Sequence, residues 1–268
     1  MLTVSNIAWH DGADPAFFDM VAAAGFDGID LAPTKVWPGW QLPEDSGVEF
    51  RRRLENYGLS VVGMQSLFFG AGPLNLFTRH AEDWHAFFSH MNTLADIATG
   101  TGATRIVFGA PANRDPGDMN DKSAWELACE RLQAVGELYK IRGIQLCLEP
   151  VPEAIGGKFL TSTLETADFV RKIDHPSIRL NLDTAVLLFE KANISKTIEQ
   201  CAALIGHVHA SEPSLGNFDQ PKVDHGAVAS ALKGIGYEGT IAIEMTAKAG
   251  YEASNLTVAL DYIKKIYG

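Results

Sequence analysis

Short apolar runs and longer helical patterns alternate eight times along the 268 residues of this chain. That rhythm leaves few folds open, because it is how a sequence of parallel βα units reads. The strand-like runs fall near residues 3–9, 27–32, 59–66, 104–109, 144–149, 178–183, 205–210 and 240–245. The helical patterns between and after them lie at roughly 15–24, 46–57, 80–100, 121–142, 163–173, 193–203, 225–235 and 252–266. Gly25, Gly58, Gly102, Gly143 and Gly236 stand where helices should stop, which suits a left-handed C-terminal cap.

Eight such units in this length predict an α/β protein with a single domain over residues 1–268, a (β/α)8 TIM barrel. A doubly wound open sheet is the competing arrangement. It usually carries a Gly-rich phosphate turn after the first strand, and Asn6-Ile7-Ala8-Trp9-His10-Asp11-Gly12 offers none. No low-complexity tract or Pro/Ser-rich linker divides the chain, and 46% hydrophobic residues are enough for one large core.

The phase of the last four strands carries the chemistry. Side chains alternate faces along a strand, so Gln145, Cys147 and Glu149 share one face, as do Arg179, Asn181 and Asp183. His207 and His209 oppose Gly206 and Val208, while Thr240, Ala242 and Glu244 oppose Ile241, Ile243 and Met245. Each polar face ends in a side chain that binds metals. In a barrel those C-terminal strand ends converge on the mouth, where barrel enzymes do their chemistry. Any one carboxylate there has an ordinary alternative as a helix cap. Three together would repel and resist ionisation unless a cation held them. Glu149, Asp183, His209 and Glu244 are therefore expected to bind one divalent ion. Such an oxygen-rich set suits Mn²⁺, Mg²⁺ or Co²⁺ with positions left open for substrate. A cation that chelates a carbonyl and its neighbouring hydroxyl acidifies the proton between them and stabilises an enediolate, with Glu149 and Glu244 placed as acid/base pair.

The formal charge of −11 disfavours a general phosphate-backbone binder, and no apolar span is long enough to cross a bilayer. Cys129, Cys147 and Cys201 are odd in number and lack a CxxC pair, which fits reduced thiols in a cytoplasmic protein. The expected partner is a small-molecule sugar or sugar phosphate, with neither nucleic acid nor membrane.

The ordered set Gly25-Phe26-Asp27-Gly28-Ile29-Asp30, Leu148-Glu149-Pro150, Leu182-Asp183-Thr184, His207-Val208-His209-Ala210-Ser211-Glu212, Gly236-Tyr237-Glu238-Gly239 and Ile243-Glu244 resembles the xylose isomerase-like barrels. These include sugar (phosphate) isomerases and ketose 3-epimerases. The resemblance covers essentially the whole chain and implies that Glu149, Asp183, His209 and Glu244 are metal ligands, with Glu149 and Glu244 moving the proton. It also implies a barrel of a kind that often forms homo-oligomers, although no interface is legible. Two departures stand out: epimerases of the family usually have a His where Val186 stands, and often an Arg in the loop occupied here by Ser214, Leu215 and Gly216.

Further candidates surround the mouth. Lys35 and Trp37, with Trp40 in the same loop, are read as a lid over a sugar, the alternative being simple packing. Phe68 and Phe69 admit the same two readings. Asn6, Gln65 and Asn113 are candidate hydroxyl partners, Glu212 is a candidate substrate contact, and Glu212 and His225 are each read as either orienting a metal ligand or capping the next helix. Lys158 in a Gly-Gly-Lys turn reads as a solvated lysine. A keto-sugar or keto-inositol dehydratase uses the same proton chemistry. A DNA-repair endonuclease would need extra histidines, missing at Val186 and in Asp224-His225-Gly226, and a non-catalytic sugar-binding barrel would need no acid/base pair.

Overall fold

The computed structural model describes residues 1–10, 14–246 and 250–268, and among them eight parallel strands close into a barrel in sequence order. The strands are β1 (Leu2–Ser5), β2 (Gly28–Leu31), β3 (Ser60–Met64), β4 (Arg105–Phe108), β5 (Gln145–Leu148), β6 (Ile178–Asp183), β7 (Ile205–Ser211) and β8 (Ile241–Glu244). Around them run α1 (Asp14–Ala23), α2 (Ser46–Glu55), α3 (Ala81–Thr101), α4 (Asp121–Lys140), α5 (Thr163–Ile173), α6 (Thr184–Phe189), α7 (Ile194–Cys201), α8 (His225–Gly234) and α9 (Glu252–Tyr267). All five glycines expected at helix ends have positive φ, between 68° and 87°, a conformation that costs a residue with a Cβ.

Two elements differ from the sequence reading. β1 stops at Ser5, four residues before the expected end, because the Ser5 hydroxyl accepts from the Ile7 amide at 3.4 Å and opens a turn over Asn6–Ala8. Asn6 Oδ1 then accepts from Ala32 N at 2.7 Å and ties that turn to the end of β2. The second difference is α6. Asp183 ends β6 and also caps this short helix, its Oδ1 accepting from Val186 N at 2.9 Å. The Asp11-Gly12 end of the segment read for a phosphate turn lies outside the described residues.

The apolar strand faces, such as Val4, Ile29, Ile106, Leu146, Leu180 and Val208, are fully buried in one core with the helices. The opposite faces fill the barrel interior, and near the mouth that filling is polar: Thr3, Asp30, Asn181, His207 and His209 are all inaccessible to solvent. Two register shifts put them there. Leu180 pairs with Ile205 but Asn181 pairs with His207, leaving Gly206 as an extra residue in β7. The bulge restores phase, so that Asp183 lies beside His209 rather than beside Val208. Gly206 is constrained to be small, since a Cβ there would sit 2.6 Å from the Arg179 Cβ. A second shift, between Ile29 and Asp30, sets Asp30 opposite Gly63 in β3.

Candidate active site

β5, β6, β7 and β8 deliver Glu149, Asp183, His209 and Glu244 to one point at the mouth, where one ligand atom from each lies within 4.8 Å of every other. His209 is central. Its Nδ1 is 3.2 Å from Glu149 Oε1 and 3.3 Å from Glu244 Oε2, so the ring nitrogen has a carboxylate on either side. Each carboxylate is held from behind by a neutral donor. Asn181 Nδ2 donates to Glu149 Oε1 at 3.1 Å, Gln65 Nε2 to Glu244 Oε1 at 2.8 Å, and Ser211 Oγ to Asp183 Oδ1 at 2.8 Å. These contacts fix orientation without neutralising charge.

The charges therefore bear on one another. Burial, with Glu149 and Glu244 as like-charged neighbours, pushes the Asp183 carboxyl up to about 8. Burial works against a charged His209 ring, but the Glu244 and Glu149 carboxylates outweigh it and raise the ring well above the usual histidine range. Burial would also raise Glu149; the bond and charge of His209, with the charge of Arg114, bring it below the ordinary glutamate value. Three acidic oxygens and one imidazole that must otherwise share protons fit a divalent cation, which would replace those protons with two positive charges.

Beneath the mouth, Asp30 Oδ2 accepts from the His207 ring at 2.7 Å and lies 4.0 Å from His209 Nε2, while its Oδ1 accepts from Thr3 Oγ1 at 2.9 Å. Burial raises the Asp30 carboxyl, but the His207 charge and hydrogen bond, with lesser help from His209 and Thr3, hold it below the ordinary value. An anion on the Nε2 side of His209 favours a proton there and leaves Nδ1 as the lone-pair donor. Backbone space is cleared for both acids: a Cβ on Gly63 would meet Asp30 Oδ2 at 2.3 Å, and one on Gly109 would meet Glu149 Oε2 at 2.0 Å.

Two cavities open at the mouth, of about 350 Å³ and about 440 Å³, and both are lined by Gly109, Pro111, Glu149 and Glu244. Gln65 and Asn113 border the first, the Asn113 amide also donating to Leu74 O at 2.6 Å. Glu212 borders the second, but its carboxylate is already engaged by the Lys222 and Val223 amides at 2.8 and 3.3 Å and the His225 ring at 3.1 Å. Its observed contacts hold the loop between β7 and α8. Of the residues read as a lid, neither Lys35 nor Trp37 lines either of these two cavities. Trp37 is buried and packs its ring edge-on to Phe50, centroids 5.6 Å apart, and Lys35 Nζ donates to Trp9 O at 2.6 Å. Trp40 likewise donates to Phe69 O and rests on His90, and Lys158 pairs with Asp115 at 2.7 Å. Sequence reasoning left Asn181, Ser211, Asp30, Gly109 and Arg114 without site roles. Strand phase could have found Asn181, two residues before Asp183 on the same face. Arg114, buried with its guanidinium donating to the Phe108 and Glu149 carbonyls, lies in an irregular turn that periodicity does not mark.

Comparison with known proteins gives a consistent set of likenesses. A D-psicose 3-epimerase of Ruminiclostridium cellulolyticum is 26% identical over 144 residues, 53% of this chain and 49% of that protein. The chain thus spans about half the length of that relative. A D-psicose 3-epimerase of Agrobacterium fabrum is 24% identical over 246 residues, covering 87% of this chain and 80% of its own. A crystal structure of D-psicose 3-epimerase in the presence of D-fructose superposes over 100% of this chain and 99% of that one, with a TM-score of 0.83 at 17% identity, which shows a shared fold. Residues 18–266 match one family throughout, and the chain belongs to it: the xylose isomerase-like TIM barrels.

Proposed function

We propose that this protein is a metal-dependent sugar isomerase or epimerase that moves a carbon-bound proton with Glu149 and Glu244. The observation that carries the reading is the disposition of those two carboxylates. They come from β5 and β8, flank His209 Nδ1 at 3.2 and 3.3 Å, and both border the two mouth cavities. A substrate carbon held between them presents one face to each. One carboxylate takes the proton and the other returns one, the requirement for inverting a stereocentre or shifting a carbonyl. The epimerase names of the relatives agree with this reading.

Glu149, Asp183, His209 and Glu244 would hold a divalent ion, with Mn²⁺, Mg²⁺ and Co²⁺ the ions that suit three carboxylates and one imidazole. When bound, such an ion polarises a carbonyl and an adjacent hydroxyl and so acidifies the hydrogen on carbon between them. Asn181 and Gln65 keep the two working carboxylates aimed. Asp183 is committed to α6 and Ser211 through Oδ1, which suits a ligand rather than a mobile base.

The test is exchange of solvent deuterium into a panel of ketoses, aldoses and their phosphates with Mn²⁺ present. Exchange at the carbon next to the carbonyl is expected, falling by about 10²- to 10⁴-fold in Glu149→Gln and Glu244→Gln, the usual worth of a positioned acid or base. Full turnover in both variants would sink the assignment, and a product lighter by one water would make the protein a dehydratase instead.

A further inference from the structure

The loop between β7 and α8 carries a strained turn at the mouth. Ser214 and Leu215 both adopt left-handed backbone, with φ of 59° and 52°. Residues with a Cβ rarely take up that region, and they stay there only where the surroundings enforce it, most often at functional sites. Both residues lie on the wall of the larger mouth cavity, which Asp183 and Glu244 also border. The Leu215 carbonyl accepts from the Thr246 amide at 2.9 Å and from the Thr246 hydroxyl at 3.4 Å, two residues beyond Glu244. The turn is thus fastened to the strand end that carries one of the two working carboxylates.

A buried polar triad runs from this turn away from the mouth. Glu212, only 3% exposed, closes the loop on itself by accepting from the Lys222 and Val223 amides and meets the His225 ring at Nε2. On its other side the fully buried ring meets the hydroxyl of Tyr267, the last residue of α9, with Nδ1 and oxygen 2.8 Å apart. A carboxylate only accepts, so Nε2 carries the proton towards Glu212, and in a neutral ring Nδ1 is left to accept from Tyr267. The rings of Phe218 and Tyr262 flank His225 with centroids 5.5 and 5.7 Å away. In such surroundings no solvent replaces a lost partner. The triad also crosses the barrel: Glu212 borders the mouth, whereas Tyr267 borders a cavity of about 370 Å³ beside Leu2 and Ile241, where β1 and β8 begin.

We propose that Tyr267 and His225 are positioning residues for the proton transfer. Seated on α9, they hold Glu212, and through it the strained turn and its bond to Thr246, so that Glu244 stays at working distance from the substrate carbon. This rests on the proton-transfer reading above and adds to that site two residues that line neither mouth cavity. The face that Glu244 presents is set by β8; the triad sets how far it stands from the substrate. Removing the Tyr267 hydroxyl alters no side chain of the ion-binding set, so its effect falls on the turn.

The Mn²⁺-loaded Tyr267→Phe protein, which lacks one oxygen, tests this against the parent chain in two assays. In amide hydrogen exchange read by NMR, the Thr246 amide should exchange about tenfold faster. The Glu149 amide, bonded to the Phe108 carbonyl on β4, should keep its rate. In deuterium exchange with the best-reacting sugar of the panel above, kcat should fall about fivefold to tenfold, less than the 10²-fold or so that a 1 Å misplacement costs. KM and the Mn²⁺ association constant should change less than about twofold, since the triad touches neither substrate nor ion. His225→Phe keeps a ring in the same apolar niche and breaks the triad at its centre, and it should reproduce both effects. A hydroxyl with a structural role alone would lower Tm and leave kcat per folded protein as it was, and that result overturns the proposal. So does an unchanged Thr246 amide, or equal acceleration at Thr246 and Glu149, which is general loosening. Exchange into no sugar of the panel removes the proton-transfer reading itself, while the amide rates decide separately whether the triad holds the turn.

Discussion

Metal affinity should climb steeply with pH, because the cluster stores protons that a cation must displace. Asp183 is pushed up to about 8 by burial and by Glu149 and Glu244, and His209 is raised well above the ordinary histidine value by Glu244 and Glu149. Both groups must be deprotonated to act as ligands. Below its own titration point each contributes one displaced proton, and each displaced proton makes the apparent affinity rise about tenfold per pH unit. From pH 6 to 8 the apparent Mn²⁺ association constant should therefore rise by about 10²- to 10⁴-fold, with one to two protons released per ion. Stability runs the other way in the metal-free protein. Both pKa values are raised on folding, so the stability these two groups contribute is full below their unfolded values and is lost as pH rises through the folded ones. For Asp183 that window runs from 3.8 to about 8. The gap in Tm between metal-loaded and metal-free protein should widen over the same range. Calorimetric titration with Mn²⁺ at pH 6, 7 and 8, in two buffers of different ionisation enthalpy, counts the protons directly. A flat affinity with no proton release would refute the account of how the three carboxylates coexist.

Three further outcomes follow from close contacts. Gly109→Ala would place a Cβ 2.0 Å from Glu149 Oε2, and a carboxylate displaced by about 1 Å should cost turnover about 10²-fold in steady-state assays. Gly63→Ala, whose Cβ would meet buried Asp30 at 2.3 Å, should lower stability by about 1–3 kcal/mol in urea titrations. Glu212→Ala would leave the buried His225 Nε2 and the Val223 amide without this carboxylate; a loss of about 1–3 kcal/mol is expected, read as a lower urea midpoint.

The barrel was legible because its periodicities are local: alternation marks each strand, and glycines mark the helix ends. The four mouth residues were legible for the same reason, since strand phase alone sends Glu149, Asp183, His209 and Glu244 to one face. What escaped was set by contacts distant in sequence. The early end of β1 depends on Asn6 reaching Ala32, and the burial of Trp37 on Phe50. Nothing in Glu212 itself announces that two backbone amides and a histidine ring will claim its carboxylate. Asp30 shows the same limit: it stood in a segment that carried the family resemblance, yet its pairing with His207 spans 177 residues.

The extra residue at Gly206 makes the site depend on parity. With Leu180 anchored opposite Ile205, pairing β7 in unbroken register would bring Val208 to the place beside Asp183 and turn His207 and His209 towards the helices. Deletion of Gly206 should spare the ion site, because Ile205 and His207 then follow one another opposite Leu180 and Asn181, whereas one residue inserted between Gly206 and His207 should abolish it while conserving every ligand in the sequence. Transplanting this centre into another barrel must therefore carry the pairing of His207 with Asn181 along with the four ligands. By contrast, the β7–α8 loop beyond Ser211 can change length without altering which way the ligands point.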